Sequence, residues 1–242
     1  MTKKVLLKGV DTTHIPDGFL TILISAIMWA ITIILLAFSF WRLGKDFEEK
    51  QIPLMAMLTA MFFAAQMMNY PIIGGTTAHL LGGPILAITL GPYAALVSMT
   101  VILVIQAFFF GDGGILTLGA NIVNMGVIGV FIPWIVFSVI YRLKPGRTGM
   151  MVGAFSAALL GDLAAAISAA VMLGLSVPVF PYSFAIALLV MGIHHSIIGV
   201  VEGVAAVVIL LVINGVRPDL LTLPRVVPSI TGDWSPKLEE VL

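Results

Sequence analysis

The chain contains no cysteine, which excludes disulfides, thiolate metal sites and cysteine nucleophiles. The chemistry that remains rests on four histidines. His14 stands in His14-Ile15-Pro16-Asp17-Gly18-Phe19-Leu20, where Pro16 fixes a turn and Asp17 can cap a following helix. Two readings fit these residues. One is a helix-entry cap with a surface histidine. The other is a ligand held rigidly at the top of a helical bundle, suited to nickel, copper, zinc or cobalt.

His79 lies in Asn69-Tyr70-Pro71-Ile72-Ile73-Gly74-Gly75-Thr76-Thr77-Ala78-His79-Leu80-Leu81-Gly82-Gly83-Pro84, a run of paired glycines and small hydroxyls between apolar stretches. Irregular backbone at membrane depth needs protein or a cavity around it. The segment reads either as a re-entrant packing loop with a satisfied histidine, or as the carrier of a second ligand. In the latter case Asn69, Thr76 and Thr77 would orient the ligands from behind.

His194-His195 and Glu202 form a third group. His195 and Glu202 are seven residues apart and share a helix face. Ionisable groups inside a span usually face the bundle interior. They read as a relay for a cation or proton, or as a buried polar pair that fixes packing. Asp162 reads as structural, and Asn121 and Asn124 as hydrogen-bond partners between helices. There is no G-x-x-x-x-G-K-[ST] and no H-E-x-x-H, and no Ser/His/Asp set can be singled out. The expectation is a non-catalytic chain without its own ATPase site.

The elements that must position these residues follow from composition. Of 242 residues, 60% are apolar and 10% charged, against about 25% charged in a soluble domain. That argues against a soluble enzyme and a disordered chain. Twelve basic residues balance twelve acidic ones, so there is no electrostatic field for nucleic acid. Long charge-free stretches, Phe19 to Trp41 and Gln51 to Gly111 among them, exceed the roughly 20 residues a spanning helix needs. They show no period-2 alternation, so helices are expected rather than a barrel.

Glycine and proline divide the stretches into spans near 19–41, 53–70, 92–110, 115–141, 150–175 and 183–213, with a short or re-entrant piece near 79–90. The sequence thus predicts an all-α, polytopic membrane protein of about seven helices. With seven spans and the N-terminus outside, nine of the twelve basic residues fall on the inner side, as the positive-inside rule prefers. His14 and His79 then share the outer face. The chain divides into an N-terminal extension, 1–13, a membrane domain, 14–213, and a polar, proline-rich cytoplasmic tail, 214–242.

Ala56, Ala60 and Ala64 recur at four-residue spacing, with Ala26 and Ala30 repeating it on the first span. Such rows let helices approach closely, inside the chain or against a partner membrane protein. Met55, Met57, Met61, Met67 and Met68 read as core packing rather than copper ligands.

The first motif, the Pro71–Pro84 run and His194-His195-Ser-Ile-Ile-Gly-Val-Val-Glu202-Gly together resemble the CbiM/NikM family, over about residues 14–213. These are substrate-binding components of energy-coupling factor transporters for cobalt and nickel. The resemblance implies seven helices with the N-terminus outside and Co(II) or Ni(II) as transported substrate. It implies a near-square-planar nitrogen set: a free N-terminal amine, the backbone nitrogen and ring of the adjacent histidine, and a loop histidine. His14 and His79 occupy the two histidine positions. It also implies a multi-pass protein of the cell membrane that works with a transmembrane coupling protein, ATPase subunits and often a small accessory membrane protein.

One departure stands out. The family pattern begins Met-His, whereas thirteen residues precede His14 here and Thr13 takes the place of Met. Either cleavage between Thr12 and Thr13 frees an amine, or another group, such as Asp11 or Asp17, completes the site. From another class, the same residues would fit a stand-alone, proton- or ion-coupled secondary metal transporter that uses His195 and Glu202. A membrane scaffold or sensor would bind no metal.

Overall fold

A computed structural model describes residues 14–46, 51–68, 70–72, 76–177, 179–180, 182–217 and 221. Within them the chain forms α1 (Ile22–Asp46), α2 (Ile52–Gln66), β1 (Tyr70–Ile72), β2 (Thr76–Ala78), α3 (Gly83–Leu90), α4 (Pro92–Phe110), α5 (Leu118–Leu143), α6 (Arg147–Gly174) and α7 (Phe184–Val216). The helical membrane architecture expected from the sequence is present, with one short two-stranded hairpin besides. Five helices, α1 and α4 to α7, are long and apolar enough to cross a membrane, and α2 is a shorter apolar helix. At eight residues α3 is about 12 Å long, too short for a hydrocarbon core of about 30 Å. All eight of its residues are buried, so it is a core element that turns at Gly91 into α4.

Several boundaries differ from the sequence expectation, each for a local reason. α2 ends at Gln66 rather than near 70, because Pro71 pushes Tyr70 out of the helical region; Tyr70–Ile72 pairs antiparallel with Thr76–Ala78 instead. α1 is capped by Thr21, whose Oγ1 accepts the Ile24 N–H at 3.4 Å, and not by Asp17. α7 begins after Ser183, which accepts the Ile186 N–H at 3.3 Å, and continues to Val216, into the expected tail. The methionines expected in the core are largely outside it. Met57, Met61 and Met68 are exposed, since acyl chains are as apolar as a core and burial gains little there.

The core lies among α3, α4, α5 and α6, where Leu86, Leu96, Met99, Ile102 and Leu118 are fully buried. α6 packs along α7 through small residues: a side chain at Gly199 would stand 3.0 Å from the Leu159 Cα. α1, by contrast, turns Ile22, Leu23, Ile33 and Ile34 outward.

α5 explains the placement of α3. Pro133 has no N–H, so the Gly129 carbonyl four residues earlier has no helical partner there. Gly83 approaches that carbonyl so closely that any Cβ would collide with it. Gly83→Ala is expected to push α3 off α5 and to destabilise the protein by about 1–3 kcal/mol, the usual cost of overpacking. A lowered midpoint of thermal unfolding in detergent checks this; an unchanged midpoint would contradict the close approach.

Candidate metal site

The N-terminal stretch reaches the site because the loop before α5 receives it residue by residue. Asn121 holds both backbone groups of Ile15: its Oδ1 accepts the N–H at 3.1 Å and its Nδ2 donates to the C=O at 3.1 Å. The same C=O accepts from Thr117 Oγ1 at 2.6 Å and from the Gly114 N–H at 3.1 Å. Asp17 accepts three successive N–H groups, from Ile115 (3.1 Å), Leu116 (2.9 Å) and Thr117 (3.1 Å). Both its oxygens are thus engaged by the backbone of the loop. Gly113, at φ +92°, would carry a Cβ 2.9 Å from the His14 Cβ, so a side chain there would displace the histidine.

Docked in this way, His14 meets His79. The ring centroids are 5.1 Å apart and the planes stand at 83°, an edge-to-face arrangement. The His14 N–H donates to Asp112 Oδ1 at 3.4 Å, and His14 Nδ1 lies 3.3 Å from the Asp112 carbonyl oxygen and 3.6 Å from its carboxylate. His79 Nδ1 lies 2.9 Å from the Leu80 carbonyl, a contact that suits an Nδ1–H donor and leaves Nε2 with its lone pair.

Burial pushes the His14 imidazole below its ordinary value, against the opposing pull of Asp112. Burial, reinforced by His14, lowers His79 to about 4. Both rings are therefore neutral at physiological pH, the form that ligates metals. Among the described residues no group of three or more His, Cys, Asp or Glu side chains could hold an ion.

Asp112 was not singled out by the sequence reading, although a signal existed. It is the only charged residue between Gln51 and Tyr141, at the junction of two charge-free runs.

The remaining sequence candidates fall elsewhere. Asn69 lies outside the described residues, and of Thr76 and Thr77 only the strand pairing, with Ile72 and Pro71, is described. His194 and His195 turn their Nδ1 atoms to the carbonyls of Val190 (2.7 Å) and Met191 (2.9 Å) within α7. His195 is near enough to influence His79 electrostatically, as a lesser contributor. Glu202 does not line up with His195 in a relay; both its oxygens accept backbone N–H groups, from Leu81 (2.8 Å) and Gly82 (2.6 Å). Asp162 on α6 lies against it. Asn124 is buried on α5 and its Oδ1 has no hydrogen-bond partner among the described residues, whereas Asn121 binds the N-terminal stretch. Ala56, Ala60 and Ala64 lie on the exposed side of α2.

Fold and site together define a polytopic helical membrane protein in which the N-terminal stretch and the hairpin segment bring two imidazoles together. A family model described as "Cobalt uptake substrate-specific transmembrane region" matches residues 14–220, and the chain belongs to that family, CbiM. The chain is 39% identical over 208 residues to a putative fused nickel transport protein, NikMN, of Archaeoglobus fulgidus, covering 86% of this chain and 68% of the relative. It is 32% identical over 220 residues to a putative cobalt transport protein, CbiM, of Methanocaldococcus jannaschii, covering 89% and 93%. A crystal structure described as a truncated transition metal transporter superposes with a TM-score of 0.77 at 37% identity, covering 84% of this chain and 98% of that one.

Proposed function

We propose that the chain is the substrate-capture subunit of an ATP-driven importer for cobalt or nickel. It binds one ion at the outer face through His14 and His79, and partner subunits drive its release inward. The observation that carries this is the pair of neutral imidazoles 5.1 Å apart, one from each end of a sixty-five-residue separation in sequence. Two such rings can share one cation of the kind that prefers borderline nitrogen ligands. Family membership and relatives named for nickel and cobalt transport support the choice of ions.

Further donors complete the set: the His14 backbone nitrogen and the amine freed if the chain is cut between Thr12 and Thr13. Asp17, engaged with the loop, is a poor substitute. The exposed Ala56, Ala60 and Ala64 row on α2 provides a close-packing face for a transmembrane coupling protein, through which ATPase subunits act. The protein sits in the cell membrane with its C-terminus in the cytoplasm.

Titration of the purified protein with Ni(II) and Co(II), separately and in competition, tests the reading. Saturable binding of one ion per chain is expected, and its absence for both ions would overturn it. The pH dependence is a second readout. Imidazoles must be neutral to bind. A pKa lowered from 6.5 keeps the competent form as pH falls, and protons compete only towards the lowered value. Proton competition at His79 is therefore expected only as pH nears about 4, whereas a freed amine ligand, ordinarily titrating at about 7.7–8.0, would weaken binding already below pH 8, so the profile separates the two donor types.

A further inference from the structure

His79 is followed by three residues that no regular element supports. Leu80, Leu81 and Gly82 join the hairpin to α3, level with the middle of α7 rather than with its end. Backbone N–H and C=O groups at that depth have no water to satisfy them, and each left unpaired costs several kcal/mol. The protein supplies the partners from three different helices. Glu202 of α7 accepts the Leu81 N–H at 2.8 Å with one oxygen and the Gly82 N–H at 2.6 Å with the other. Gln66 of α2 donates from Nε2 to the Leu81 C=O at 2.7 Å. Gln106 of α4 backs it, donating to Gln66 Oε1 at 3.1 Å. Glu202, Gln66 and Gln106 are all at most 1% exposed.

The geometry leaves little play. Gly82 takes φ +75°, a left-handed conformation, and the Leu81 and Gly82 N–H groups converge on the one carboxylate, which fills a small anion-binding concavity. A side chain at Gly82 would collide with the Phe62 ring, and the Leu81 side chain seats against Gly129. The chain is thus fixed immediately after His79, while the ring itself touches the Leu80 carbonyl inside the clamped stretch.

Two adjacent N–H donors require an acceptor with two oxygens and no hydrogens. An ionised carboxylate meets this and a carboxamide does not, because its NH2 would face one of the donors. That accounts for an acidic side chain in a membrane span, where charge is costly and seldom kept without a task. A ligand role is not what the carboxylate's geometry serves, since both oxygens point at the backbone.

We infer that Glu202, with Gln66 opposite, is a positioning residue: the pair clamps Leu81 and Gly82 and so sets where the His79 imidazole stands relative to His14. The inference rests on the proposed metal-capture reading and adds to it a determinant that never touches the ion. Outer groups that orient metal ligands typically cost about 10–100-fold in affinity when removed.

The test uses the full chain in detergent, with four proteins: wild type, Glu202→Gln, Gly199→Ala and His79→Ala. Each is titrated with nickel chloride while the ligand-field absorption of the bound ion is recorded, and each is melted without metal. Glu202→Gln is expected to bind nickel at least tenfold more weakly, with a shifted absorption band reporting altered ligand geometry. Gly199→Ala crowds the same α6–α7 interface at Leu159 but leaves the clamp's hydrogen bonds in place, so its affinity and band are expected to match wild type. An altered interface alone would move both variants alike and would overturn the inference. Nickel binding by Glu202→Gln with wild-type affinity and spectrum would also overturn it while leaving the metal-capture reading intact, provided His79→Ala has lost binding. If wild type binds nothing, the failure belongs to that reading instead. Should Glu202→Gln not fold, Gln66→Leu releases the Leu81 carbonyl from the other side; an unchanged affinity there would overturn the clamp, and a several-fold loss would support it.

Discussion

Replacing His79 by alanine is expected to abolish saturable binding of both nickel and cobalt. The ring is one of two adjacent imidazoles, and among the described residues no cluster of three or more His, Cys, Asp or Glu side chains offers a substitute. Its closest titratable neighbours are His14, already assigned to the ion, and Asp112, whose carboxylate serves the His14 N–H. His195 on α7 contributes to the local field, but its Nδ1 is committed to the Met191 carbonyl. Loss of an outer-shell group costs about 10–100-fold in affinity. Loss of a ligand therefore costs more than 100-fold, above about 2.8 kcal/mol at about 1.4 kcal/mol per decade. The substitution removes bulk from a half-buried loop residue and leaves the Leu81–Gly82 clamp untouched, so the protein should still fold. Calorimetric titration checks it. Unchanged binding would remove His79 from the site, whatever the ion.

Asp17→Ala is expected to have the second-largest effect, although Asp17 itself holds no metal. Its carboxylate gathers three backbone N–H groups at the entrance to α5, and this fastens the stretch that carries His14. Hydrogen bonds to a charged group contribute about 1.5–3 kcal/mol each when buried. Asp17 is exposed, and water can replace part of what is lost. A net loss of roughly 1.5–3 kcal/mol in docking remains, which is about 10–100-fold in metal affinity if the stretch must be docked to bind. The sign is clear because the variant leaves both imidazoles in the chain. Protection of the Ile115–Thr117 amides from hydrogen exchange should fall in parallel. Full affinity with lost protection would show that His14 is held by Asn121 and Thr117 alone.

These two residues also mark what could be read from the sequence. Helix type and approximate number were legible because the absence of charge over tens of residues admits few structures in a bilayer. His14 and His79 were legible as a pair because each sits beside turn-forming residues at the end of an apolar run, and the topology puts both ends together. The task of Asp17 was not, since a capping signal says that a helix start is near without saying which helix, and its partners lie about a hundred residues away. Glu202 was read against His195, its neighbour on the helix face. Its actual partners are backbone groups 120 residues distant, and backbone groups carry no sequence signal. The hairpin escaped for a related reason. Strands of three residues are too short to alternate, and Pro71 alone hinted that α2 must stop.

The first helix has one more property. Trp29 Nε1 donates to the Leu116 carbonyl at 3.1 Å and Thr32 Oγ1 to the Gly119 carbonyl at 2.9 Å, so α1 is pinned to the same short stretch that Asp17 and Asn121 use. On its other face α1 presents Ile22, Leu23, Ile33 and Ile34, exposed and apolar, as a surface against acyl chains would be. At 25 residues it is about 37 Å long, more than a typical hydrocarbon slab of about 30 Å, and such helices tilt to match. Its inclination is thereby tied to the seat of His14, and lipid thickness becomes a variable in how firmly that seat is held.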